Sequence, residues 1–150
     1  MIITPEWVSA IAATVAAVGV AFAFEQLRVS RQIAQLQFED GLAKEYRELI
    51  SCVPTKALLG AELSELEYES AFDEFFWYVD LSNEQVLLRQ RGRISREVWK
   101  DWCAGIQTNL ALPPFKRAWS EIQIKCDSFQ ELRKLQAENF RDDPYTWRLA

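Results

Sequence analysis

One stretch of this chain limits its folding more than any other. From Trp7 to Phe24 the sequence reads WVSAIAATVAAVGVAFAF, 18 residues without a charge. Fifteen of them are apolar; Ser9, Thr14 and Gly19 are the exceptions. At 1.5 Å per residue such a helix would be about 27 Å long, close to the hydrocarbon thickness of a bilayer. Ile2, Ile3 and Thr4 could lengthen it. A signal peptide would open on basic residues, but here the chain opens MIITPEW, with an acid at Glu6. A buried core helix is the other alternative, since seven alanines make the stretch only moderately hydrophobic. Length, Trp7 as an interfacial anchor and Pro5 in a first helical turn predict a transmembrane helix over 1–24.

The flanks predict its orientation. Arg28 and Arg31 follow the stretch, and no Lys or Arg precedes it. The positive-inside rule then puts the N-terminus outside and the remainder in the cytoplasm. Three cysteines, Cys52, Cys103 and Cys126, with no CxxC pair, agree with a reducing compartment and argue against a zinc ribbon. Small residues recur every fourth position at Ser9, Ala13, Ala17 and Ala21. That spacing makes one stripe along which helices can approach closely, so self-association is expected.

Beyond the apolar stretch the chain is charged, with 17 basic and 21 acidic residues. Residues 25–53 hold no proline, and Val29, Ile33, Leu36, Ala43 and Ile50 follow a roughly heptad spacing. A continuous helix from Pro5 to Cys52 is expected, about 70 Å long. Gly41 is its expected kink and Pro54 its stop. Residues 54–150 then read as a small helical bundle. Helices are expected over 56–68, over 69–91, from a cap at Ser95 to Pro113, over 115–126 and over 128–141. No alternating run suggests a strand, so the fold class is all-α. Phe75, Phe76, Trp77 and Tyr78, with Trp99 and Trp102 a turn apart, are expected mostly in the core; a base-stacking platform is the alternative.

Histidine is absent. That excludes His-based triads, His general bases and the Glu-x-x-His pairs of di-metal bundles. Phosphate loops, dinucleotide fingerprints and nucleophile elbows are also missing, so neither an enzyme nor a cofactor or metal site is expected. Two charge clusters remain. Acids from Glu62 to Glu84 lie in a stretch, 57–88, without Lys or Arg. Immediately after it come Arg89, Arg91, Arg93, Arg96 and Lys100. Arginine forks bind phosphate, and a helix start at Ser95 would add backbone donors. The basic segment could therefore take a nucleotide or oligonucleotide phosphate, anionic lipid headgroups, or the acidic run of the same or a neighbouring chain.

The segment 78–122 also carries a pattern: Leu81, Asn83 and Glu84, then Gly92, then Trp99 and Trp102, then Pro114, Phe115 and Trp119. In this it resembles a group of small single-pass bacterial membrane proteins. By layout the chain is similar to the membrane effectors encoded beside nucleotidyltransferases in bacterial antiviral systems, such as the channel effectors of the Hailong system. The resemblance implies a homo-oligomeric pore in the bacterial plasma membrane. Its cytoplasmic domain would sense a single-stranded nucleic acid or nucleotide made by a partner nucleotidyltransferase. The other function class open to the sequence is a membrane-anchored adaptor that recruits a protein.

Overall fold

The computed structural model describes residues 5–149, excluding the side chains of 5–8, 10, 11 and 149. The interfacial role of the Trp7 side chain, and the extension through Ile2, Ile3 and Thr4, lie outside the described residues. The order of elements is α1 (Pro5–Cys52), α2 (Thr55–Leu58), α3 (Glu65–Ser70), α4 (Phe72–Gln90), α5 (Arg96–Ala111), α6 (Pro113–Lys125), α7 (Gln130–Ala137) and a closing 3-10 helix, η1 (Pro144–Leu149). There is no strand among the described residues, and the fold is all-α.

The chain divides into two compact units, 1–38 and 39–150. In the first, α1 is helical from Pro5, and every described side chain is exposed. Val15, Val18, Val20, Phe22 and Phe24 each keep about two thirds or more of their surface. Among the described residues one helix is long and apolar enough to cross a membrane, and none of its apolar window is buried. Ser9, Ala13, Ala17 and Ala21 all present exposed side chains at the expected four-residue spacing. Val29, Ile33 and Leu36 of the heptad pattern are exposed as well.

The second unit begins within α1, not at Pro54. Leu42 is buried, and Tyr46, Leu49 and Ile50 pack against the core. The connecting helix expected over 25–53 therefore gives about its second half to the bundle, because its apolar face there has a partner. Gly41 lies inside the continuous helix. The element expected over 56–68 is two short helices. Gly60, at a φ of 77°, closes the first, and Ser64 opens the second. Ser64 and Glu67 cap one another reciprocally: the Glu67 amide donates to Ser64 Oγ, and the Ser64 amide donates to Glu67 Oε2.

Helix α4 packs against α3, α6, α7 and η1. Phe75, Tyr78, Val79 and Val86 lie on it at helical spacing and are nearly free of solvent. Phe115 of α6 meets both Phe75 and Tyr78 edge-on, with ring centroids 4.9 Å apart in each pair. Such edge-to-face pairs add about 0.5–1.5 kcal/mol to the burial itself. Leu132 and Leu135 of α7 and Trp119 of α6 complete this core. The aromatic cluster is thus mainly core, with Trp77 the exception at 56% exposed. Pro113 and Pro114 end α5, as expected, but they also start α6. A first helical turn has no use for their missing N–H groups. Helix α7 is entered through Phe129 in the left-handed region, φ 64°.

Candidate functional site

The basic segment joins α4 to α5 and has distinct surroundings along its length. Arg89, on the last turn of α4, is buried. Its Nε and Nη2 donate to the two carboxylate oxygens of Asp143, at 2.7 and 2.6 Å, and its Nη1 donates to the Ile94 carbonyl at 2.8 Å. The Tyr145 ring lies 5.1 Å from the guanidinium. Asp143 is held below the usual carboxylate range, first by this arginine and also by the Tyr145 amide; the arginine is raised in turn by Asp143. Arg89 therefore pins η1 to α4, with its Nε, Nη1 and Nη2 already donating within the fold. Its partner is not the acidic run 62–84 but an acid 54 residues further on, which local sequence could not indicate.

Next comes the turn. Gly92 has a φ of 72°, and a Cβ there would fall 2.9 Å from the Tyr145 ring. Only glycine suits both demands. The Arg91 and Arg93 side chains project into solvent on either side. The Arg91 carbonyl accepts from Arg148 Nη1 at 3.1 Å. Ser95 then caps α5, accepting from the Val98 amide at 3.3 Å. Two of the expected donors at this helix start, the Ser95 and Val98 amides, are already taken. The Ser95 amide donates to Glu39 Oε1 at 2.6 Å, and Glu39 is buried. The chain's own carboxylate thus meets the helix start on its Ser95 side.

Arg96 and Lys100, one turn apart on α5, are exposed and line a cleft of about 290 Å³. Arg141, Asp142 and Asp143 line the same cleft. Of the five predicted anion ligands, the structure brings Arg96 and Lys100 to one cleft, leaves Arg91 and Arg93 on the turn, and withdraws Arg89.

Two acids of the acidic run, Glu65 and Glu67, are engaged from within the fold. Arg117 grips Glu65 with both Nη groups, at 2.9 and 2.7 Å, and lies 3.7 Å from the Tyr68 ring. Lys56 Nζ donates to Glu67 Oε1 at 2.7 Å. That lysine, with the Ser64 amide and hydroxyl, holds the Glu67 carboxyl at about 2. The three cysteines are free thiols, and no grouping of acids and cysteines with the geometry of a metal site occurs among the described residues.

A second cleft, of about 320 Å³, opens between the last part of α1, α4 and α5 within the second unit. Tyr46, Tyr78 and Trp102 supply its aromatic walls, Gln85 lies in it, and Arg47 and Asp101 are on exposed parts of it. Sequence reasoning missed it because its residues come from three helices; the aromatic pair Trp99 and Trp102 was the nearest signal. Comparison with protein-family models, curated proteins and solved structures gives no match to this chain.

Proposed function

We propose that the chain is a homo-oligomeric effector of the bacterial plasma membrane, an ion channel or pore gated by a nucleotide or single-stranded nucleic-acid signal in antiviral defence. The observation that carries the reading is α1. It is one helix of 48 residues, with an apolar stretch uncovered by its own chain and a last third packed into a bundle. An uncovered apolar helix of this length needs lipid or other copies of itself. The exposed stripe Ser9, Ala13, Ala17 and Ala21 suits helix–helix contact, and Arg28 and Arg31, following the apolar stretch, support a cytoplasmic bundle. The signal would meet Arg91, Arg93, Arg96 and Lys100, the cations of the basic segment that remain exposed. It can gate only by binding the open and closed states unequally.

Purified protein in liposomes tests this directly. Ion flux should appear or stop on adding short single-stranded DNA or nucleotides. Arg93→Glu with Arg96→Glu should remove the response while leaving the melting temperature unchanged, and Ala17→Leu should alter the oligomer. Vesicles that stay tight under every condition refute the channel. A second reading, a membrane-anchored adaptor, is favoured by the bundle's exposed Leu59, Leu66, Trp77 and Ile124. Tight vesicles together with a monomer in detergent would select it.

A further inference from the structure

The second cleft contains a polar group without a partner. Gln85 is 5% exposed, lines the cleft, and makes no side-chain hydrogen bond among the described residues. The polar side-chain atoms sealed from solvent without a partner are Glu74 Oε2 and Trp147 Nε1 among the described residues. The Gln85 amide is not one of these, so it keeps access to the cleft. A largely buried amide without a protein partner is less stabilising than an apolar group of the same shape. A leucine or methionine would fill the same space without that cost.

The rest of the cleft says what the amide would meet. Tyr46 and Trp102 are half-buried, presenting aromatic surface on a largely apolar lining. Tyr46 is fixed from behind by Asn109, whose Nδ2 donates to its hydroxyl at 3.3 Å. Arg47 is exposed, lines the cleft and makes no ion pair among the described residues; the same holds for Asp101. A flat apolar ligand with a hydrogen-bonding edge and an anionic tail fits each of these features. The volume is at the lower end of the ~300–1,000 Å³ typical of small-molecule sites. Nucleobases combine a stacking face with an edge of donors and acceptors, and a glutamine amide can pair with such an edge in two bonds.

We propose that this cleft binds the base of a nucleotide, with Gln85 reading the base edge, Tyr46 and Trp102 covering its face, and Arg47 meeting its phosphate. Asp101 is placed for a sugar hydroxyl or an exocyclic amine. The site is separate from the basic segment. The proposal rests on the channel reading only for what binding would accomplish, since Ala43, Tyr46 and Arg47 belong to the helix that carries the apolar stretch.

Equilibrium dialysis of the full chain in nanodiscs tests it, with the four common nucleoside 5′-monophosphates as probes and ribose 5-phosphate as the base-free control. At least one nucleotide should bind saturably and at least tenfold more tightly than ribose 5-phosphate. Gln85→Leu should weaken that binding tenfold or more, yet raise the melting temperature of the ligand-free protein. A merely structural glutamine would not give both effects. Arg47→Gln should lessen the preference for nucleotide over nucleoside. Three results would each overturn the proposal: no saturable binding of any nucleotide up to about 5 mM; ribose 5-phosphate binding equally well; or unchanged binding in folded Gln85→Leu. Dialysis does not depend on flux, so tight vesicles with intact nucleotide binding defeat the channel and not this site.

Discussion

Replacing Asp143 with asparagine removes the charge that holds Arg89 in the bundle. Arg89 has a side chain 9% exposed and Asp143 one 30% exposed. The pair is bidentate at 2.6–2.7 Å, and its remaining arginine bond goes to the Ile94 carbonyl. Breaking a fully buried ion pair costs roughly 3–5 kcal/mol, because one charge is left without its counterpart. Water reaches Asp143 in part, which lowers the expected cost to about 2–4 kcal/mol. For a unit of this size that is a drop of roughly 8–16 °C in melting temperature. Tryptophan fluorescence of the full chain in detergent reads it, since α1 would dominate a far-ultraviolet signal. The double change Arg89→Met with Asp143→Leu should recover most of the loss, because neither charge is then stranded. Acid supplies a second arm. The depressed Asp143 carboxyl contributes stability above its unfolded value of about 4, and that contribution is lost as pH falls through its lower folded value. An Asp143→Asn protein that melts within about 2 °C of the parent would refute the staple.

Three other changes follow from the same geometry. Gly92→Ala should destabilise the bundle by about 1–3 kcal/mol in urea titrations, since the new Cβ meets Tyr145 and the backbone stays left-handed. Glu39→Ala should cost roughly 1–3 kcal/mol by the same measurement, and Glu39→Gln much less, because an amide oxygen can still accept from Ser95. The Glu67 carboxyl should titrate near 2 by carbon NMR and move up toward the ordinary range in Lys56→Ala. Its stabilising effect is present above the unfolded carboxylate value and is lost as pH falls through that low one.

Features set by neighbouring residues were legible in the sequence. Pro5 and Pro54 bracket α1, Gly92 ends α4 and Ser95 caps α5, because each acts through its own backbone or the next turn. The split of 56–68 was missed, because the leucine periodicity runs across Ser64 and Glu67, although these two have the spacing of a capping box. What was not legible depends on distant partners. Glu39 and Ser95 are 56 residues apart, and Arg89 and Asp143 are 54. A run of basic residues looks uniform until the fold assigns one of them inward. Arg89 and Arg91 differ only in the direction that α4 gives them. The left-handed entry to α7 at Phe129 gives no sequence sign, since phenylalanine has no preference for that conformation.

Phe129 also bears on how this chain can change. Its backbone favours glycine, yet its ring is buried and meets Phe76 and Trp119 edge-on, at 5.6 and 6.4 Å. No single amino acid satisfies both requirements. Glycine would relax the main chain and empty the space, while leucine would keep some volume and all of the strain. The position is therefore held by a conflict. Lineages can leave it only if Phe76, Trp119 or the turn itself changes in company, so α6, α7 and the start of α4 are bound to evolve together.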